Sequence, residues 1–322
     1  MGFTKLVMTL LILIGAGYIY EKLKLREEKD KNLVDYDLAR KYLLDDNSLA
    51  ENKKPILWIH ISYNINAREW CSFMSRNTNN LNQPYLYLTV KSIIDKCGDD
   101  FFICLIDDDA FKNLLPTWDV DLHKLGNPLK EHFRKLALAN VLYNYGGLLV
   151  PNSFICCQSL MPLYEQYTKN KSMFVGEFLD HSISSSISDF SPNTRLMACT
   201  QNSEMMGEFI SYLERLNSND YTAEANFIGT ESDWCKDKLQ ANQINMIPAG
   251  VLGIKDSNNK PIVIEELLSS NFLELQTGAV GMYVPAEQLL KRINYNWFAY
   301  LSPEEVLKSD TQIGKRLLIC ND

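Results

Sequence analysis

Three consecutive aspartates, Asp107, Asp108 and Asp109, directly follow the apolar run FFICLI. Asp107 and Asp109 form an Asp-x-Asp pair, and carboxylate oxygens are the ligands that hard divalent cations prefer. The same two side chains could instead contact a nucleotide, or cap the short helix that AFKNLL predicts. We favour capping because it needs no further group, and we keep a nucleotide-edge contact and metal binding as alternatives.

His60 closes a second apolar run, PILWIHI. An imidazole at the end of a strand can act as a general base or touch the edge of a bound nucleotide. A histidine there is more often an ordinary residue of the core or of its rim. We favour this ordinary role for His60 and keep a nucleotide-edge contact and a general base as alternatives.

Arg134 and Lys135 are two adjacent cations within NPLKEHFRKLALANVLYNYGG. Such a pair could grip a diphosphate directly and replace a metal ion. On a helix, Lys135 and Leu138 share a face, while Arg134 points about 100° away. The simpler interpretation is therefore that both cations are solvated charges on an exposed face, and we favour it over the clamp.

The chain between these residues alternates short apolar runs with amphipathic segments. PILWIHI and FFICLI are typical of buried strands, and PYLYLTVKSIIDKC between them predicts a helix. NPLKEHFRKLALANVLYNYGG predicts a long helix ended by Gly146 and Gly147, and LLVPNSFICC predicts a third strand interrupted by Pro151. This pattern predicts an α/β, Rossmann-like fold with a mostly parallel sheet, helices on both faces and a crevice at the carboxyl ends of the strands.

PILWIH, the strand that ends in IDDD, and HFRKLALANVLYNYGGLLVPNSFICCQSL together resemble the sugar-nucleotide-binding region of Och1-type and capsular-polysaccharide-synthesis glycosyltransferases. The resemblance covers residues 54–216. It implies a GT-A fold, a nucleotide-sugar donor and a divalent cation, Mn²⁺ or Mg²⁺. If the chain is active, the resemblance implies a glycosyltransferase of the hexosyltransferase type.

The resemblance also shows which donor-pocket positions depart from the family. These families place Ser-Asp-x-x-Arg in the long helix and Asp-x-Asp after the following strand. With Tyr145-Gly146-Gly147 aligned, the corresponding positions hold Arg134 and Lys135, Leu138, and Pro151-Asn152-Ser153. Pro151 offers no side-chain ligand, Asn152 a neutral amide and Ser153 a hydroxyl, so a cation would lack a countercharge. We therefore expect the metal site to be lost, and we assign no catalytic residue.

The amino terminus carries the apolar segment Leu6 to Tyr20, within residues 1–22. The 19 residues from Gly2 to Tyr20 would span about 28 Å as a helix, close to the hydrocarbon thickness of a bilayer. We predict an uncleaved membrane anchor at 1–22, a charged stalk at 23–52 and the globular domain at 53–322. Five cations follow the span and place the domain on the cytosolic side: Lys22, Lys24, Arg26, Lys29 and Lys31.

Composition excludes several classes of protein and of ligand. The 322 residues are 46% hydrophobic and 22% charged, with a net charge of −8, which excludes wholesale disorder and argues against nucleic-acid binding. The eight cysteines include no CxxC pair, so a structural zinc site is not expected, and we predict mostly reduced thiols. The N-x-S sequon at Asn170-Lys171-Ser172 is then incidental.

The sequence therefore predicts a single-pass membrane protein carrying a GT-A-like domain without its metal site. The favoured function is a non-catalytic component that binds a nucleotide sugar, a glycan or a protein partner, or that serves as structure. One alternative is an active, metal-independent glycosyltransferase that uses Arg134 and Lys135. Another is a virion or membrane scaffold with no sugar pocket, since the abundance of Asn and Lys hints at the genome of a large DNA virus.

Overall fold

A computed structural model describes residues 54–61, 65–67, 77–81, 83–180, 189–218 and 224–321. These residues fall within a single unit, Leu44–Asp322. The predicted anchor at 1–22 and the predicted stalk at 23–52 lie outside the described residues. Among the helices that are described, none combines the length and the apolar character that crossing a membrane would need.

The strands are short, and most alternate with helices along the chain. In chain order they are β1 Ile56–His60, β2 Ile65–Ala67, β3 Asn77–Leu81, β4 Phe102–Ile106, β5 Gly147–Leu149, β6 Phe154–Cys156, β7 Met173–Asp180, β8 Asp189–Cys199, β9 Asn245–Ile247 and β10 Gly281–Tyr283.

The helices vary from one turn to nearly five. They are α1 Leu86–Cys97, α2 Ala110–Leu114, α3 Leu129–Tyr145, α4 Met161–Thr168, α5 Glu204–Asn217, α6 Glu224–Gln240, α7 Ile264–Leu267, α8 Ala286–Lys291, α9 Asn296–Ala299, α10 Pro303–Lys308 and α11 Gln312–Asn321, with a 3-10 turn at Leu122–Lys124.

The central sheet has six strands in the order β4-β1-β5-β8-β7-β9. β1 pairs in parallel with both β4 and β5, and β7 pairs in parallel with β9. β8 is antiparallel to its neighbours β5 and β7, so it alone reverses the direction of this sheet. The predicted mixed α/β architecture with a mostly parallel sheet is confirmed, whereas β8 and the antiparallel hairpin of β2 and β3 carried no recognised sequence signal.

The first strands form where the apolar runs predicted them. Leu57, Trp58 and Ile59 in β1 are fully buried, as is expected of a parallel strand that is covered on both faces. α1 and α3 also lie within their predicted segments, and α3 ends at Gly146, whose positive φ of 70° stops the helix.

The predicted third strand, LLVPNSFICC, is wrong as a single element. Its first part is β5 in the central sheet, while its second part is β6, which pairs with β10 in a separate two-stranded sheet. Pro151 has no N–H to donate to a ladder, and Phe154 N donates to Pro151 O at 3.0 Å to close a turn. The chain therefore changes sheets at residues 150–153.

Two large hydrophobic clusters lie within the described residues. One lies between the central sheet and the helices α3 and α5. The other joins α1 and β6 to the C-terminal helices, and in it the tilted rings of Tyr85 and Phe298 pack at a centroid distance of 5.1 Å. Cys157 and Cys320 form a disulfide that ties the end of β6 to α11, which corrects the expectation that both are free thiols. Five other cysteines in the described residues are free and buried: Cys97, Cys104, Cys156, Cys199 and Cys235.

Candidate functional site

The carboxyl ends of β1, β4 and β5 meet at one edge of the central sheet. β1 ends at His60 and β4 at Ile106, and β5 leads into Pro151. Because β1 pairs in parallel with both neighbours, these three ends are adjacent. This edge is where open α/β sheets place their ligands, and it holds most of the residues that the sequence singled out.

Asp108 is the centre of a buried ionic cluster at this edge. Arg134 Nε donates to Asp108 Oδ1 at 2.7 Å, and Arg134 Nη2 donates to Asp108 Oδ2 at 2.6 Å. His60 Nε2 lies 3.0 Å from Oδ1, and Lys130 Nζ lies 3.4 Å from Oδ2. Arg134 Nη1 also donates to Glu131 Oε1 at 2.5 Å. The guanidinium is thus divided between two carboxylates of its own chain.

The electrostatics of the Asp108–Arg134 pair keep both groups charged. Burial raises the pKa of Asp108, but the hydrogen bonds from Arg134 and His60 outweigh it and hold this pKa well below its usual range. Burial lowers the pKa of Arg134, but Asp108 and Glu131 outweigh it and raise this pKa above its ordinary value. The side chains of Asp108 and Arg134 are only 9% and 10% exposed, so the pair is largely shielded from solvent.

Asp107 and Asp109 do not converge on a common point. Asp107 Oδ1 accepts hydrogen bonds from the backbone N–H groups of Asp109 and Ala110, at 3.1 and 2.9 Å, and so caps the start of α2. Asp109 Oδ1 faces His123 Nε2 at 3.1 Å on the exposed surface. The three consecutive aspartates therefore have three different partners. In the described part of the chain, no group of three or more His, Cys, Asp or Glu residues could hold a metal ion.

Lys135 is bound to a different carboxylate from that of Arg134. Its Nζ donates to Glu231 Oε2, and Thr194 Oγ1 donates to Glu231 Oε1. Glu231 lies on α6 and is 2% exposed, so this contact joins α3 to α6 and β8 inside the protein. The favoured expectation of two solvated cations is not what the structure has, because Arg134 is buried and Lys135 is partly buried, each in an ion pair.

Leu138, which occupies the position of the family arginine, packs against the cluster beneath the central sheet. Gly146 and Gly147 serve the chain reversal from α3 into β5. Gly147 has a φ of +107°, and a Cβ there would lie 2.2 Å from the carbonyl oxygen of Ile56. Trp58 Nε1 donates to Gly146 O at 2.9 Å and holds this reversal against β1.

The Pro151-Asn152-Ser153 segment is tied down through its backbone. Thr89 Oγ1 donates to Asn152 O at 2.5 Å, and Val284 N donates to Ser153 O at 3.2 Å. Ser153 is 4% exposed. A divalent cation needs anionic oxygen ligands, and this segment offers a ring, an amide and a buried hydroxyl. These residues do not fit the Mn²⁺ or Mg²⁺ that the family resemblance implies.

Three polar residues of this edge were missed by the sequence analysis: Asp108 in the cluster, Glu231 under Lys135, and Arg195 on β8. Arg195 Nη1 donates to Tyr283 Oη at 3.1 Å, and its Nη2 lies 4.0 Å from Glu287 Oε2. Asp108 had a signal, since it is the middle of three aspartates, but an Asp-x-Asp search passes over it. Glu231 lies in the segment NFIGTESDW, which resembles the family only weakly, and Arg195 stands in no motif.

No protein-family model matches the chain, and no curated protein sequence matches it. Three of the solved structures that share a likeness to its fold are glycosyltransferases. "PaToxG Glycosyltransferase" has a TM-score of 0.35 and 10% identity, over 59% of this chain and 72% of its own. Mouse xyloside xylosyltransferase 1 has a TM-score of 0.34 and 8% identity, over 61% of this chain and 86% of its own. Glycosyltransferase GlyE of Streptococcus pneumoniae TIGR4 has a TM-score of 0.35 and 10% identity, over 80% of this chain and 63% of its own.

Proposed function

We propose that this protein is a membrane-anchored, GT-A-like glycosyltransferase homologue that has lost its metal site and acts as a non-catalytic binding or structural component. The observation that carries this proposal is the segment Pro151-Asn152-Ser153 after β5. It supplies no carboxylate, and its backbone carbonyls accept hydrogen bonds from Thr89 and Val284. A metal that neutralises the departing diphosphate contributes several kcal/mol of transition-state stabilisation, so its loss removes orders of magnitude in rate.

The pairing of the nearby cations supports the same proposal. A metal-independent transferase would need Arg134 and Lys135 to meet the diphosphate instead of the metal. Arg134 is bound by Asp108 and Glu131, and Lys135 by Glu231. To bind a ligand anion, each cation would first have to leave a carboxylate that would then be buried and unpaired, at a cost of several kcal/mol. We therefore do not favour the metal-independent enzyme.

Burial at the same edge favours a structural role over a sugar-binding one. Arg134 is 8% exposed and Ser153 is 4% exposed, although both stand at positions that the resemblance assigns to the donor pocket. A side chain that solvent scarcely reaches has little surface to offer a donor. The scaffold alternative therefore has a specific observation in its favour.

The test uses the full chain in detergent micelles. Manganese retention is measured by equilibrium dialysis, and release of nucleoside diphosphate is measured with UDP-sugars and GDP-sugars. We expect no retained manganese and no turnover. Manganese at a 1:1 ratio, or turnover at an ordinary enzymatic rate of about 1 s⁻¹ or more, would contradict the proposal.

Thermal unfolding with the same ligands separates the two non-catalytic roles. A ligand that binds only the folded state raises the free energy of unfolding by RT ln(1 + c/Kd), where c is the free ligand concentration, so the unfolding midpoint rises with the logarithm of the ligand concentration above the dissociation constant. A rise with a sugar nucleotide and no turnover indicates a binding component, and no rise indicates a structural one.

A double variant tests the metal site directly. Pro151→Asp together with Ser153→Asp rebuilds the acidic pair of the resembled family, and we expect no gain in manganese affinity because the surrounding backbone remains engaged.

A further inference from the structure

The Cys157–Cys320 disulfide carries information about the compartment of the domain. Cys157 follows β6 and Cys320 lies in α11, 163 positions apart, with their Cα atoms 4.8 Å from each other. That separation is ordinary for a disulfide. Disulfides persist on the oxidising side of membranes and are rare in the cytosol, where thiols are kept reduced.

The sequon Asn170-Lys171-Ser172 lies in a surface turn between α4 and β7. α4 ends at Thr168 and β7 begins at Met173, and Asn170 is exposed. N-linked glycans are bulky and require a surface acceptor of the form N-x-S/T in which x is not proline. Lys171 meets the second condition and the exposure of Asn170 meets the first.

We propose that the globular domain faces the oxidising side of the membrane and that Asn170 carries an N-linked glycan. The inference goes beyond the proposed non-catalytic function. The only part of that proposed function on which it depends is the membrane anchor. In the transfer, Asn170 Nδ2 forms a bond to the anomeric carbon of a lipid-diphosphate-linked oligosaccharide. The bond from that carbon to the diphosphate oxygen breaks, the lipid diphosphate leaves with the electron pair, and the amide proton passes to a base of the transferase.

The charges beside the predicted anchor argue for the opposite orientation. Five Lys and Arg residues follow the apolar segment within 22–31, against Lys5 and the terminal amine before it. Three acidic residues lie among them, Glu27, Glu28 and Asp30, and Glu21 directly precedes them. We give more weight to the disulfide because it forms within the folded domain and so reports on the compartment of that domain. The charge count concerns only how the apolar segment inserts into the membrane.

The experiment is translation of the full chain with microsomes derived from the endoplasmic reticulum. We expect one product of increased mass that peptide N-glycosidase returns to the unmodified mass. Asn170→Gln and Ser172→Ala should each abolish the increase, since one removes the acceptor and the other removes the hydroxyl of the sequon. The matched control Asn258→Gln changes an exposed asparagine outside any sequon and should leave the increase intact.

Two further measurements keep the two parts of the inference separable. Asn296→Thr, made in the Asn170→Gln chain, creates a sequon at the exposed Asn294, which reports on the compartment independently of Asn170. A wild-type chain that stays unmodified overturns the Asn170 site. If the Asn296→Thr chain also stays unmodified, and Cys157 and Cys320 both react with a maleimide in denaturant without reductant, the oxidising compartment is overturned as well.

Discussion

The side chains of Arg134 and Asp108 meet through two parallel hydrogen bonds, of 2.7 Å from Nε to Oδ1 and 2.6 Å from Nη2 to Oδ2. This geometry is the bidentate pairing for which a guanidinium is suited, and it joins α3 to the end of β4. Both side chains are about nine-tenths buried. At the sheet edge where a sugar nucleotide would be expected to bind, Arg134 is therefore already paired with Asp108.

Removing one member of this pair should be costly. Asp108→Ala leaves the buried Arg134 without its bidentate partner, and we expect a loss of about 3–5 kcal/mol in the free energy of unfolding. Urea unfolding followed by circular dichroism measures the loss. The control is Asp233→Ala, which breaks the exposed i,i+3 pair with Lys236 and should cause almost no change. A cost for Asp108→Ala as small as that of the control would contradict the cluster.

The stability of the domain should fall in acid partly because of Asp108. Its pKa is lowered in the folded state, so it contributes stability above its unfolded pKa of about 4, and this contribution is lost as the pH falls below that value. Asp108→Asn cannot titrate and should show a shallower loss between about pH 5 and about pH 2. Unfolding free energies measured across this range check the difference in slope, and identical slopes would refute it.

A side chain at Gly147 should be incompatible with the fold. The positive φ of 107° strains any L-residue, and a Cβ would meet Ile56 O at 2.2 Å. Gly147→Ala should therefore cost about 3 kcal/mol or more, or prevent accumulation of folded protein. Gly126→Ala is the control, because a Cβ there has no atom within 4 Å. Thermal unfolding of the two variants distinguishes them, and equal midpoints would be inconsistent with the described turn.

The disulfide should stabilise the domain by restricting the unfolded chain. Replacing both Cys157 and Cys320 by serine removes a cross-link between positions 163 apart, and we expect a loss of about 2–5 kcal/mol. Reduction of the wild-type protein should lower its stability to a similar extent, while the double variant should not respond to reductant. Denaturant unfolding with and without dithiothreitol provides the measurement. If the free energy of unfolding of the wild-type protein did not change with reductant, the result would contradict the cross-link.

The elements with the strongest local signal could be predicted from the sequence. β1 and β4 are apolar runs buried on both faces, and α3 ends at Gly146 as the glycine pair indicated. β5 and β6 could not be separated, because a single apolar run does not reveal which sheet each half joins. β8 was missed as a strand because its first half is polar and contains Pro192, and its antiparallel direction depends on pairing over long distances in the chain.

The sequence identified the positions of the candidate site residues but not the side chains that they contact. The resemblance gave the positions Arg134 and Lys135, but their partners depend on how separate elements pack. Asp108 lies 26 positions from Arg134, and Glu231 lies 96 positions from Lys135. Neither spacing is a local pattern, so the sequence indicated solvated charges where the fold builds two internal ion pairs.

The change of sheet at residues 150–153 makes this short segment a covalent connection between two hydrophobic clusters. β5 belongs to the layer packed by α3 and α5, and β6 belongs to the layer packed by α1 and α11. Any backbone displacement in these four residues must alter how the two layers meet. These four residues therefore link both clusters structurally, although they form a single short connection in the chain.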